Sequence, residues 1–272
     1  MPRLEMTVGP KRPILRWHGG KWKLADWIIS HFHRHRVYVE PFGGAASVLL
    51  KKPRSYAEVY NDLDGEVVNL FRVARDHGDD LRRALELTPF SRTEFLSSYD
   101  ETTDPLEQAR RTVVRSFMGF GSNAHNRATG FRGNSNRSGT TPAHDWRNYP
   151  GTFGAVIERL RGVVIENRDA AAVMLAHDGD ETLHYVDPPY VASTRDQGGD
   201  YRHEMTDADH ERLSETLHNL RGAVVLSGYR SAMYDSLYKD WRIVERHAHA
   251  DGARDRVECL WLSRRSAVQE LF

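Results

Sequence analysis

Short apolar runs and longer amphipathic stretches alternate along this chain, and the alternation is interrupted once in the middle. Val37-Tyr38-Val39-Glu40 and Ala57-Glu58-Val59-Tyr60 read as buried strands, and so do Val163-Val164-Ile165, Leu183 to Val186 and Ala223 to Leu226. Helical periodicity lies between them: Leu24, Trp27, Ile28 and Phe32 share one face, Val67, Val68, Leu70, Phe71 and Val73 another, and Ala170 to Ala176 and Thr206 to Leu220 continue the pattern. The chain ends in two strands, about Arg242 to His249 and Arg256 to Ser263, joined through Asp251-Gly252. A hairpin requires an antiparallel member. The expected fold is therefore α/β, a doubly wound and mostly parallel sheet with one antiparallel terminal strand.

The interruption is helical and then irregular. Asp79 to Leu87, Ser91 to Ser98 and Asp104 to Phe120 read as helices, with a short helix expected near Ala232 to Tyr238 further on. From Phe120 to Asn148 the chain turns polar and glycine-rich, with Phe131, Trp146 and Tyr149 as apolar anchors, and a loop of that length inside a domain is either functional or disordered. Arginine is concentrated here: Arg110, Arg111, Arg115, Arg127, Arg132, Arg137, Arg147, Arg159 and Arg161 stand against only Asp145 and Glu158. That local excess of about seven positive charges predicts contact with a polyanion.

Composition narrows the class. With 272 residues and a formal net charge of +0, the whole chain has no electrostatic bias. No apolar run approaches the roughly 20 residues of a membrane span, and Met1 to Arg12 has no signal-peptide character, so a cytoplasmic protein with no membrane partner is expected. The one cysteine, Cys259, reads as a small strand residue. His31, His33 and His35 read as a solvated helix end, and no metal is expected.

Chemistry concentrates at strand ends. In His184-Tyr185-Val186-Asp187-Pro188-Pro189-Tyr190 a strand delivers a carboxylate, two prolines stiffen the turn, and a ring follows, which makes a slot suited to a planar group bearing an amine. Glu40-Pro41-Phe42-Gly43-Gly44 is a strand followed by a glycine-rich turn, and Asp62 lies about 20 residues beyond Gly43, where a carboxylate gripping a ribose is expected. The pyrophosphate fingerprint of spaced glycines is incomplete. A ligand with a ribose but no pyrophosphate, such as S-adenosylmethionine, fits that departure.

Four elements in order resemble the Dam-type (D12 class) DNA adenine-N6 methyltransferases, which include phage and prophage enzymes: Arg16-Trp17-His18-Gly19-Gly20-Lys21, Glu40-Pro41-Phe42-Gly43-Gly44-Ala45, Asn61-Asp62, and Asp187-Pro188-Pro189-Tyr190. Arg16 and His18 replace the family's commoner Lys and Ala, and Gly44-Ala45-Ala46 stands where a second separated glycine is often found. The resemblance implies a sheet of the S-adenosylmethionine-dependent methyltransferase type, with residues 1–75 and 161–272 forming the catalytic domain around an inserted, mostly helical target-recognition domain at 76–160. It implies transfer of a methyl group from S-adenosyl-L-methionine to N6 of a flipped-out adenine in double-stranded DNA.

Catalytic roles then fall to Asp187, Pro188, Pro189 and Tyr190. Cofactor contacts fall to Trp17, Lys21, Phe42, Gly43, Asp62, Asp169 and Asp187, and Asn123, Asn126, Arg127 and Arg132 are the candidates for DNA contact. A restriction endonuclease is a partner the resemblance allows. The amine slot also suits cytosine N4 or an adenine in structured RNA, and a non-catalytic DNA-binding module is the alternative of another class.

Overall fold

The computed structural model describes residues 9–121, 128–133, 139–195, 202–249 and 255–267. The chain divides into two compact units, one formed by 1–22, 44–51 and 65–161, the other by 23–43, 52–64 and 162–272.

The second unit contains a seven-stranded sheet. Its strands are β1 (Val37–Glu40), β2 (Ala57–Asn61), β3 (Val163–Glu166), β4 (Thr182–Val186), β5 (Ala223–Gly228), β6 (Arg242–His249) and β7 (Asp255–Leu262), in the spatial order β3-β2-β1-β4-β5-β7-β6. β1 pairs in parallel with β2 and β4, β2 with β3, and β4 with β5. β7 is antiparallel to both β5 and β6. The expected mostly parallel sheet with one antiparallel member is thus present, and the antiparallel strand lies next to the edge.

Alternation along each strand sorts the two faces. Val37, Val39 and Val59 pack on Val173 of helix Ala170–Ala176, while Val186, Val224 and Leu226 pack on Met174, on Leu213 and Leu217 of helix Asp207–Asn219, and on Tyr234 and the neighbouring Tyr238 at helix Ala232–Leu237. The opposite face carries Tyr38 and Tyr185, whose rings lie 5.8 Å and 5.9 Å from that of Phe32. Lys52 and Glu58 form a buried ion pair of 2.6 Å on this face, with the Lys52 ammonium 4.5 Å from the Tyr38 ring centroid. Cys259 is buried in β7, and burial pushes its thiol up to about 11, so it is a core residue as expected.

The first unit is helical, with Gly65–Asp76, Gly78–Leu87, Arg92–Ser97 and Pro105–Met118 among its helices. Two further helices are Pro142–Asn148, where the polar pattern indicated irregular chain, and Phe153–Leu160. The first begins at a proline in its opening turn, and the Thr141 hydroxyl accepts from the His144 N–H. Its few apolar positions hid it, although Trp146 is buried and donates through its ring nitrogen to the Thr88 carbonyl at 2.9 Å. Tyr149 likewise donates to the Ile14 carbonyl at 2.6 Å. Trp146 and Tyr149 therefore anchor the stretch as the sequence indicates.

The helix near Lys21 is shorter than its pattern, Ala25–Ser30, and His31, His33 and His35 are half-buried instead of solvated. Burial pushes the His33 imidazole down to about 4, with His35 adding to the effect, and lowers His35, His184 and His210 as well. Each of these rings holds a proton less readily in the folded chain than when it unfolds. Their contribution to stability is therefore complete above about pH 6.5 and is lost as pH falls toward the folded value. The urea midpoint is expected to drop between pH 7 and pH 4.5, with much of the loss below pH 6. An unchanged midpoint over that interval would show that the rings are not held neutral.

Candidate active site at the carboxyl ends of the strands

The strand order reverses direction of growth between β1 and β4: from β1 the sheet extends to β2 and β3 on one side, and from β4 to β5 on the other. In open α/β sheets such a switch point leaves a crevice outside the carboxyl ends of the two strands. The glycine-rich turn leaves the end of β1, and Asp187-Pro188-Pro189-Tyr190 leaves the end of β4. The register, Val39 opposite His184, brings these two loops side by side. Asp62 follows β2, the next strand over.

Asn61 ties these ends together. Fully buried, it donates through its side-chain amide to the Pro41 carbonyl at 2.9 Å and the Arg168 carbonyl at 3.0 Å, and its side-chain oxygen accepts from the Arg168 N–H at 2.9 Å. Its backbone carbonyl accepts from Gly43 N–H at 2.8 Å. One residue thus fixes the loops after β1, β2 and β3. No sequence pattern singled it out beyond its place beside Asp62.

Glycine is needed at 43 for an internal reason. A Cβ there would lie 2.1 Å from the ring of buried Tyr60, so the turn is tight against the strand it follows. Gly44 has a φ of +47, and a Cβ on it would meet the Trp17 indole nitrogen at 2.7 Å within the helical unit. Packing against Tyr60 at one position and Trp17 at the other requires glycine at both. In that unit Lys21 is buried and donates to the Gly19 carbonyl at 2.8 Å.

Three carboxylates stand at consecutive strand ends. Glu40 is buried and accepts from the Tyr38 hydroxyl at 2.7 Å. Asp62 is half-buried and accepts from the Asp64 N–H at 2.8 Å. Asp187 is half-buried between buried Val186 and Pro188. Such a set suits a ligand that carries a hydroxyl pair, an amine and a positive charge. Asp169 is exposed and caps helix Ala170–Ala176, its carboxylate accepting from the Ala172 N–H at 2.9 Å. Phe42 is partly buried and packs against the apolar cluster around Val186 and Val191.

Tyr190 is 5% exposed, and its hydroxyl donates to Glu258, a buried carboxylate of β7. The Tyr229 ring meets it edge-on at 4.6 Å between centroids. Burial, then Asp187 and Glu258, hold the Tyr190 phenol well above its ordinary range, so the hydroxyl keeps its proton and cannot serve as a base. Glu40, Glu258 and Tyr229 belong to this neighbourhood although the sequence reading did not pick them as site residues. The available signal was an acid set within an otherwise apolar strand, as in Val257-Glu258-Cys259-Leu260, which marks a buried carboxylate with a specific partner.

Asn123, Asn126 and Arg127 lie outside the described residues. Arg132 is described: its N–H donates to the Met118 carbonyl at 2.7 Å, and Phe120 N–H donates to the Gly130 carbonyl at 2.8 Å, closing an antiparallel bridge between Gly119 and Phe131. The bridge is held from below by the Phe131 ring against Phe90 and Phe95. Arginine-rich composition overstates the local charge. Arg110 and Arg111 both bind Glu107 at 2.7 Å, Arg115 binds Glu66 at 2.5 Å, Arg159 donates to the Leu49 carbonyl and Arg161 pairs with Glu158. Glu66, Glu94 and Glu107 precede the arginine-rich stretch in sequence and neutralise much of it in space.

A mostly parallel sheet with a switch point between β1 and β4 and an antiparallel strand beside the edge is consistent with the methyltransferase class of α/β proteins. The family follows from comparison of the whole chain: residues 17–251 match the model of the D12 class N6 adenine-specific DNA methyltransferases, and the chain belongs to that family. Among curated relatives, a Type II methyltransferase of Lactococcus lactis subsp. cremoris is 26% identical over 262 residues, covering 85% of this chain and 86% of its own length. DNA adenine methylases of Serratia marcescens and Escherichia coli K12 are 29% and 28% identical over 105 residues. Those two matches span 36% of this chain and only 38% and 37% of the relatives' lengths. Adenine-specific DNA methylation is the activity that defines the family, and no helix among the described residues is long and apolar enough to cross a membrane.

Proposed function

We propose that this chain is a site-specific, S-adenosylmethionine-dependent methyltransferase acting on N6 of an adenine flipped out of double-stranded DNA in the cytoplasm. The observation that carries the reading is the departure of the glycine-rich turn and of Asp187-Pro188-Pro189-Tyr190 from adjacent parallel strands at the switch point. The carboxylate set there suits the cofactor: Asp62 would take the ribose hydroxyls, Phe42 and Gly43 the methionine portion, and Asp187 would lie toward the reacting methyl. Asp169, Trp17 and Lys21 are further cofactor candidates from the family resemblance. When bound, S-adenosylmethionine supplies an electrophilic methyl group on a sulfonium centre.

The residues of the chain do the rest. Adenine N6 is a weak nucleophile because its lone pair is delocalised into the ring. Asp187 accepts a hydrogen bond from that amine, aligns the nitrogen and stabilises the positive charge that grows on it. Pro188 and Pro189 hold the loop carbonyls in a fixed direction toward the same amine. Tyr190 offers the ring against which the extruded base lies.

The test is expression in a host lacking adenine methylation, followed by nucleoside analysis and sequencing of its DNA. N6-methyladenine at a defined sequence is expected; N4-methylcytosine alone, or methylated RNA with unmodified DNA, would overturn the proposal. The helical unit is proposed as the target-recognition part. Arg132→Ala is expected to weaken DNA binding about 3- to 30-fold and, if the side chain meets phosphate, to reduce the slope of log affinity against log salt by about one. An unchanged affinity and slope would remove Arg132 from the interface.

A further inference from the structure

We propose that Glu258, together with Ser227, is a positioning residue for the reaction: it sets the Tyr190 ring from behind, through the phenolic hydroxyl. The inference rests on the proposed role of Tyr190 as the surface for the extruded base, and it adds a residue that acts through that ring.

Glu258 is 4% exposed and Ser227 fully buried. A carboxylate so deeply placed is costly unless its oxygen is used by strong donors. Here the Glu258 Oε1 accepts from the Ser227 hydroxyl at 2.8 Å and from the Tyr190 hydroxyl, and the two hydroxyl oxygens are 3.1 Å apart. The Tyr190 phenol keeps its proton, so it acts as a permanent donor in this triad. With its oxygen fixed at one end and the rigid Pro188-Pro189 turn at the other, the ring has one orientation.

The topology explains how a carboxylate reaches this place. β7 runs opposite to β5, and Gly228 pairs with Cys259, so the early part of β7 lies at the carboxyl end of β5. A strand running the other way is the means by which the end of the chain contributes a side chain to the crevice side of the sheet. Substituting an apolar residue at 258 would satisfy the core equally well, whereas the triad satisfies it and also fixes Tyr190.

A double-mutant cycle tests this on plasmid DNA carrying the sites the protein methylates in the cell, read by single-turnover transfer. Glu258→Ala is expected to slow transfer about 10-fold or more while affinity for S-adenosylmethionine stays within about 3-fold. Glu258→Gln retains an acceptor oxygen and is expected to stay within about 3-fold of the original rate. In a Tyr190→Phe background, which has no hydroxyl to hold, Glu258→Ala should add less than about 3-fold. If Glu258→Ala fails to fold, Ser227→Ala, which deletes one oxygen from the same triad, provides the same cycle.

An unchanged transfer rate in the folded Glu258→Ala or Ser227→Ala protein would overturn the inference, as would an equal loss in both backgrounds, which is the mark of a general structural effect. Asp187→Ala is measured in parallel. Retained transfer by that variant overturns the reading of the loop itself, whereas an inactive Asp187→Ala beside a fully active Glu258→Ala overturns only the role given to Glu258.

Discussion

Replacing Asp187 by alanine is expected to abolish detectable N6-methyladenine in host DNA, with single-turnover transfer falling by at least about 100-fold. The magnitude follows from the two things the carboxylate does for an amine of low nucleophilicity. It fixes the nitrogen in line with the methyl group, and it places a negative charge beside a nitrogen that becomes positive as the new bond forms. Asn at this position keeps an acceptor oxygen of the same reach without the charge. Asp187→Asn is therefore expected between the parent and alanine variants, retaining alignment and losing most of the charge stabilisation. Because Asp187 is half-buried at a loop and not in the apolar cluster below it, both variants should stay folded, which a melting curve checks. Host DNA methylated at parental levels by the alanine variant would mean that the slot at the end of β4 is not where transfer occurs.

Which parts of this arrangement could be read before any coordinates follows from how local the signal is. Strands β1 to β5 and the closing hairpin announced themselves as short apolar runs bounded by glycine, proline and acids, and each lies within a residue or two of its expected span. The antiparallel member followed from the hairpin alone. Helix Pro142–Asn148 escaped because one buried ring, Trp146, anchors a turn that is otherwise polar; its Thr-Pro start was the only local mark. The half-burial of His31, His33 and His35 escaped for a different reason: a run of alternating polar rings carries no apolar signal of burial, although the rings against it are near in sequence, Trp27 on His31 and Phe32 and Tyr38 on His35. At the site, Asp62 and Asp187 could be found because each ends an apolar strand. Glu258 reaches Tyr190 across 68 positions of sequence, and the pairing of β7 with β5 creates that contact, which no local window contains. The arginine-rich stretch shows the opposite error, since its charge looked uncompensated only while Glu66, Glu94 and Glu107 were left out of view.

Gly43→Ala is expected to lower the melting temperature by about 2–5 °C even with no cofactor present. An ideal Cβ at this position would stand 2.1, 2.5 and 2.8 Å from three atoms of the Tyr60 ring. Those separations are far inside contact distance, and Tyr60 is fully buried, so the ring has little room to retreat without moving its neighbours. Overpacking of this kind costs about 1–3 kcal/mol. The turn cannot simply move away from the ring either, because the Gly43 N–H is bound to the Asn61 carbonyl at 2.8 Å and the Asn61 side chain holds Pro41. A glycine required only so that a ligand could approach would behave differently: its alanine variant would bind cofactor poorly but melt at the parental temperature. Pairing Gly43→Ala with Tyr60→Leu, which removes the clashing ring, separates the two accounts. If the clash sets the requirement, the alanine should cost much less stability in the Tyr60→Leu background than in the parent, and an equal cost in both would return the glycine to a role in ligand approach.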